Sequence, residues 1–336
     1  YLSPQGPIGT AIASGISFGG HLAGSISNNL IRGSRGAGIW ITADQVVVVD
    51  ENRVDGFAAD EDIWEFGAYP GLGIIELGGE VDIHDNFVEN YGTSGIEVSK
   101  QGFGVVERNI IRNAQWSSFF DELYRGGFGM LVISEASEGV AILGNYVQGY
   151  GSYGMVYSPF AVSQDSAAEI EGNVFEDGKG NDVGELGVGI GISQADVIIE
   201  NNTIRNARAG GVWIQLDSVA DVSHNAIEGT MMGTIGGAAY GDGIKVLSSS
   251  EASVHENDIR DSQENGAVFS ESTGSFSQNL VIGAQVGLMA KCVPMENESG
   301  NQYILIQELD VCYNEDCMYF PDADCEGATD LSVFEF

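Results

Sequence analysis

Val197-Ile198-Ile199-Glu200-Asn201-Asn202-Thr203-Ile204, followed nine residues after Asn202 by Gly211-Val212-Trp213-Ile214, decides the fold. Asn202 has an apolar residue three positions before it and another two positions after it. The same arrangement recurs around Asn29, Asn52, Asn86, Asn109, Asn145, Asn173, Asn225, Asn257 and Asn279. The earlier position holds Ile26, Val49, Ile83, Val106, Ile142, Ile170, Ile199, Val222, Val254 and Phe276. The later one holds Ile31, Val54, Val88, Ile111, Val147, Phe175, Ile204, Ile227, Ile259 and Val281. The shortest distances between anchors are 22 and 23 residues. That length suits three short strands and three corners, one turn of a parallel β-helix whose alternating apolar side chains point inward. One coil cannot bury its inner face alone, so coils stack into a solenoid.

The anchor Asn is expected at a corner with its amide inside, adopting the left-handed backbone geometry that a tight corner needs. An amide carries both donor and acceptor, so stacked copies can bond down the row. A second corner is marked by Gly before an apolar residue: Gly38, Gly73, Gly95, Gly129, Gly154, Gly189, Gly211, Gly243, Gly266 and Gly287. Glycine there supplies positive φ or close packing. A β-sandwich is the alternative, but sandwiches do not repeat an Asn and a Gly at fixed offsets.

These repeats resemble those of the pectate-lyase-like superfamily of right-handed parallel β-helices, in particular the repeat shared by carbohydrate-binding proteins and sugar hydrolases. The resemblance covers residues 15–290. It implies an all-β solenoid of about eleven coils. It says less about activity, because that fold hosts lyases, hydrolases, epimerases, adhesins and non-enzymatic scaffolds.

The anchor-to-Gly distance reads 9, 21, 9, 20, 9, 16, 9, 18, 9 and 8 residues. Four extra loops therefore leave one edge of the solenoid, on every second coil, and insertions on one face of a repeat protein often mark its binding face. The first two, residues 55–72 and 112–128, are aromatic and acidic together. Aromatic rings stack on the apolar faces of sugars and carboxylates accept sugar hydroxyls. This makes Asp60, Asp62, Trp64, Tyr69, Trp116, Phe120 and Tyr124 ligand-binding candidates. The same rings could instead pin each loop to the wall. The loops at 176–188 and 228–242 are smaller in chemistry, with Lys179 in one and Met232, Tyr240 and Asp242 in the other.

With 49 acids against 13 bases the chain carries a net charge of −36. That excludes a nucleic-acid partner, whose phosphates need a basic face. It also argues against a polyanionic substrate unless cations bridge the two. Calcium is the cofactor left open, although no twelve-residue hand loop is present. No run of eighteen apolar residues exists, so no transmembrane helix is expected. Residues 1–14 read as an irregular N-terminal lead-in or cap. Residues 291–336 read as a C-terminal cap, because Asn301, 22 residues beyond Asn279, has Glu298 three before it and is rejected as an eleventh anchor. That segment carries all four cysteines, Cys292, Cys312, Cys317 and Cys325. Two disulfides in any of three connectivities are expected, and with them an extracellular or cell-surface setting. A four-cysteine zinc site is the alternative, unsupported by any Cys-x-x-Cys pair.

Position three after each anchor reads Arg32, Asp55, Glu89, Arg112, Gln148, Glu176, Arg205, Glu228, Arg260 and Ile282. Stacked on parallel strands, Glu176-Arg205-Glu228-Arg260 should form a surface ion-pair row. Lyases of similar fold use Arg or Lys as a base beside calcium-held carboxylates, but the pectate-lyase, polygalacturonase and alginate-epimerase motifs are all missing. Gly243-Ile244-Lys245 faintly echoes the end of one. Asp121, Glu122 and Arg125 are the best catalytic trio. His224 and His255, on adjacent coils, could approach one another. The reading is a binding scaffold for a glycan or protein partner along the loop-bearing edge. A polysaccharide lyase or hydrolase is the alternative, and a filament-forming protein joined through its coil ends is another.

Overall fold

The structure is a computed structural model that describes residues 14–21, 23–34, 36–56, 71–100, 102–115, 127–134, 139–158, 167–180, 186–235, 238–291, 295–307 and 309–313. Thirty-five strands run from β1 (Ser14–Gly20) to β35 (Leu309–Tyr313). They form three sheets of 13, 11 and 11 strands, parallel and taking one strand per coil except for one strand of the first sheet that pairs antiparallel with its neighbour. The first sheet starts with β1, the second with β2 (Gly24–Ser27) and the third with β3 (Leu30–Arg32).

The quoted stretch shows why the chain winds this way. It supplies β20 (Asp196–Glu200), β21 (Thr203–Arg205) and β22 (Ala209–Gln215), one strand for each sheet. Ile199 pairs with Ile170 and Val222, Ile204 with Phe175 and Ile227, and Val212 with Ile190 and Ile244. All nine are buried in one continuous core that runs the length of the stack. Each such side chain contributes about 1.5–3 kcal/mol on leaving water. A one-residue slip would turn every one of them outward, so the apolar pattern fixes the register.

The anchor amides are inside, as expected, and they form a continuous chain. Asn202 donates from its backbone N and from Nδ2 to Asn225 Oδ1, both at 3.0 Å. Its Nδ2 also donates to the Ile170 carbonyl at 2.8 Å. Its own Oδ1 accepts from the backbone N and Nδ2 of Asn173 at 2.9 and 3.0 Å. Both donors and the acceptor of the buried amide are thereby satisfied, which is the condition for burying it without penalty.

Four expectations change. The left-handed residue is not the anchor but the one before it. Asn28, Glu51, Asp85, Arg108, Gly144, Gly172, Asn201, His224, Glu256, Gln278 and Gly300 all have φ between 51° and 67°. The anchor itself must present both its backbone N–H and its amide to the next coil, and the turn that achieves this is made one residue earlier. The conserved-offset glycines lie near the start of the first-sheet strands, and none has positive φ. They are there for space. From Gly73 to Gly266, an added Cβ would come within 2.7 Å of the carbonyl of the next coil's glycine and would strike the apolar side chain two after the anchor.

Asn301 is an eleventh anchor after all. Asn279 N donates to its Oδ1 at 2.9 Å, and its Nδ2 donates to the Phe276 carbonyl at 2.8 Å. Glu298 does not prevent this because it is exposed, accepting from Asn301 Nδ2 and from the Tyr303 hydroxyl. The amide, not the apolar neighbour, makes the rung. The boundary at residue 290 moves for the same reason. Strands β33 (Met295–Ser299), β34 (Gln302–Ile304) and β35 extend all three sheets, so residues up to 313 are solenoid rather than cap. Cys312 lies on β35, paired with Met289. Cys292, Cys317 and Cys325, and with them the disulfide expectation, lie outside the described residues, as does the lead-in segment before Ser14.

Candidate functional site at the loop-bearing corner

Each coil makes its third corner at the residue four after the anchor, again in the left-handed region. These residues are Gly33, Gly56, Asn90, Asn113, Gly149, Asp177, Asn206, Gly229, Asp261, Gly283 and Leu305. The four long loops leave from Gly56, Asn113, Asp177 and Gly229, and the short connections leave from the same geometry. Asp60, Asp62, Trp64, Tyr69, Trp116, Phe120, Tyr124 and the catalytic candidates Asp121, Glu122 and Arg125 lie outside the described residues. The fourth loop is described for the most part. It forms an antiparallel hairpin of β25 (Gly233–Ile235) with the start of β26 (Ala238–Leu247), which lengthens one first-sheet strand.

That hairpin roots a polar knot on the outside of the first sheet. Lys245 donates from Nζ to Asp242 Oδ2 at 3.0 Å, and Asn265 donates from Nδ2 to Asp242 Oδ1 at 2.6 Å. The ammonium stands 3.5 Å from the Tyr240 ring centroid and 5.3 Å from that of Trp213. Tyr240 meets Trp213 edge to face at 5.7 Å. Glu264 accepts from Gly241 N at 3.1 Å, and burial, reinforced by the Asp242 charge, pushes its carboxyl up to about 7. Trp213 Nε1 and Asn265 Oδ1 are buried without a hydrogen-bond partner among the described residues. Trp213 faces outward from the sheet, but its ring is covered rather than offered to solvent. The knot itself was missed. The signal was Asp242 three residues before Lys245 on one strand, with a glycine between them.

Away from the knot the outside of the first sheet is closed by apolar side chains. Phe128, Leu131, Tyr153, Val156, Leu186, Val188, Ala209 and Trp213 form a second cluster separate from the core. Glu97 stands on this face in register with Ile75 and Leu131. Its two oxygens accept from Ser94 Oγ at 3.0 Å and Ser99 Oγ at 2.8 Å, while burial raises its carboxyl.

The histidines do meet. The rings of His224 and His255 are 6.3 Å apart, His224 Nε2 is 2.8 Å from Glu256 and His255 Nε2 is 2.9 Å from Asp221. Glu256 also lies 3.8 Å from His255 Nδ1, between the two imidazoles. At the same corner Arg108 clamps Asp85 through two bonds of 3.0 and 2.9 Å, holding that carboxyl down to about 2. Three carboxylates on the second sheet, Glu169, Glu171 and Glu200, place oxygens within 4.8 Å of one another. An all-oxygen set of that kind suits a hard cation.

On the third sheet the ion-pair row is partly as expected. Arg205 reaches Glu176 at 2.7 Å and Glu228 at 3.8 Å, and Arg32 reaches Asp55 at 3.8 Å. Arg260 turns instead to Asp258 on its own strand, with bonds of 2.8 and 2.7 Å, because that carboxylate presents both oxygens to one guanidinium edge.

A family model described as "Right handed beta helix region" matches residues 10–175 and 131–302. No curated protein and no solved structure matches the chain. No described helix is long and apolar enough to cross a membrane.

Proposed function

The chain belongs to the right-handed β-helix family, and from that premise we propose that it is an extracellular or cell-surface binding scaffold that engages a glycan or a protein partner along its loop-bearing corner. One observation carries the reading. The corner residue is left-handed in every coil, and the Asn chain is unbroken, whether the connection that follows is long or short. The corner geometry and the Asn chain therefore do not depend on the length of the connection. Length that the scaffold does not need is available for recognition. The first two long loops carry the rings and carboxylates suited to sugars.

A second reading, a polysaccharide lyase or hydrolase, is favoured by a single feature, the raised carboxyl of Glu264 beside the Lys245–Asp242 pair. Carboxyls poised near neutral pH are the kind that transfer protons. Incubation with a panel of polysaccharides, with and without calcium, separates the two. The scaffold reading expects retention of a ligand with no release of reducing ends or unsaturated products. Turnover that Glu264→Gln or Asp121→Ala abolishes would replace it with the enzyme reading.

A further inference from the structure

We propose that the outward face of the third sheet, from the third to the sixth coil, is a platform for a neutral oligosaccharide lying along the solenoid axis; this rests on the glycan half of the function proposed above. One outward position of each third-sheet strand forms a row in register. In these four coils it holds Phe87, Ile110, Tyr146 and Val174, all half-buried. In the next three it holds Thr203, Ala226 and Asp258. Elsewhere in the row the large apolar residues are Leu30 and Leu280, each standing alone beside polar neighbours, Arg53 for the first and Asp258 and Gln302 for the second, so an unbroken apolar run of four is not a requirement of the fold. It also lies directly beside the corner from which the first three long loops leave.

Arg112 completes the platform. Its guanidinium stands 5.8 Å from the Phe87 ring centroid and 5.3 Å from that of Tyr146, bridging the two rings. Arg53, Arg205 and Arg260 on the same sheet each hold a carboxylate. Arg112 has neither a carboxylate nor a hydrogen-bond partner among the described residues, and its Nε is buried and unpaired. An unclaimed planar donor held between two rings, in a chain with 49 acids, is placed for a ligand oxygen. At the edge of the row the Tyr146 hydroxyl donates to Glu176, so acceptors line the strip as well.

Charge and size choose the occupant. Third-sheet strands carry Arg32, Arg53, Arg112, Arg205 and Arg260 against Asp55, Glu89, Glu176, Glu228 and Asp258, an even balance on a chain of net charge −36. A polyanion would be repelled by the remaining surface, whereas a neutral ligand meets no opposing field. The strip is about 14 Å long at ordinary strand spacing and one side chain wide. A stable protein interface takes roughly 800 Å² from each partner, far more than this. A slender neutral chain with apolar C–H faces and hydroxyl edges fits; the Tyr146 ring gives it a stacking point beside the Arg112 fork, while the Phe87 ring, with Arg53 5.0 Å from its centroid as well as Arg112, closes the other end of the strip.

Affinity electrophoresis and calorimetry with soluble neutral glucans, xylans and mannans beside polygalacturonate test this. Tyr146→Ala and Arg112→Ala should each weaken retention by a neutral polymer tenfold or more while the melting curve holds, and Trp116→Ala in the loop should weaken it less. Arg112→Lys keeps the charge but not the planar fork. It should also lose binding, and it serves if Arg112→Ala fails to fold. Unchanged binding in these variants, or binding confined to polygalacturonate, would overturn the platform and leave a glycan scaffold standing. Retention by no glycan at all would overturn both.

Discussion

Two carboxyls sit deep in the same sheet and are treated in opposite ways. Glu76, at the end of β7 (Leu72–Glu76), takes an inward position in register with Ile41 and Val98, inside the apolar core. One oxygen accepts from Gly78 N, and Oε2 has no partner among the described residues. Asp242 stands on the outer side of the sheet, equally hidden, but with Lys245 and Asn265 on its two oxygens. A lone carboxyl in a dry interior keeps its proton, and burial pushes Glu76 up to about 8. A carboxylate with an ammonium and an amide on its oxygens instead has partners that offset its desolvation. What sets the cost of a buried acid is the company within hydrogen-bonding distance, not the depth of burial alone.

The comparison breaks most sharply at Lys245. Lys245→Met would leave Asp242 hidden with the Asn265 amide but no counter-ion, at a cost of about 3–5 kcal/mol in urea unfolding. Adding Asp242→Leu to that variant should recover most of the loss. A double variant as unstable as the single would mean that the pair matters for something other than charge.

Glu76→Gln sharpens the other half. The folded-state pKa lies above the ordinary 4.5. The proton thus favours the folded state, its contribution is complete below about pH 4.5, and it is lost as pH rises toward about 8. The wild-type melting temperature should therefore fall across that window more steeply than the variant's, which keeps the raised carboxyls of Glu264 and Glu97. By pH 8 the variant should be the more stable, by on the order of 2–4 kcal/mol. Parallel pH profiles would show that Glu76 is not protonated at neutral pH.

The smallest effect is expected where charges meet in water. Arg205→Ala removes contacts to Glu176 and Glu228 on an exposed face. It should cost less than about 1 kcal/mol, and less still in high salt. A larger loss would mean that the third-sheet charges act as a network.

How much could be read from the chain follows the same physics. The core and the anchor row were legible because stacking repeats one demand in every coil: an amide at the corner and Ile, Val or Phe on either side. The residue four after each anchor carried a signal that went unread, being Gly, Asn or Asp in every coil but the one with Leu305, as the left-handed region prefers. The residue before the anchor carried a weaker one. Asn28, Asp85, Asn201 and three glycines suit the left-handed region, but Glu51, Arg108, Glu256 and Gln278 have no such preference, and the turn imposes the geometry on them at a cost of about 1–2 kcal/mol each. Glu76 was equally hidden, because a charged residue after Ile74-Ile75 reads as the end of a strand facing water. Rejecting Asn301 came from giving the apolar neighbour the same weight as the amide. The platform on the third sheet escaped notice because its residues alternate with the ion-pair row, and only the register between coils brings Phe87, Ile110, Tyr146 and Val174 side by side.

The chain of anchor amides also has a direction. From Asn29 to Asn279 every backbone N–H and one hydrogen of each Nδ2 point to the following coil's Oδ1, so that from Asn52 to Asn301 every Oδ1 faces the preceding coil, while the second Nδ2 hydrogen is spent on a backbone carbonyl. Aligned amide dipoles add, as they do along a helix. The stack therefore has a negative head and a positive tail built from neutral side chains alone, on a molecule whose formal charges are overwhelmingly of one sign. Any coil added to either end must arrive in that same sense, so the row of asparagines acts as a one-way thread on which the solenoid is wound.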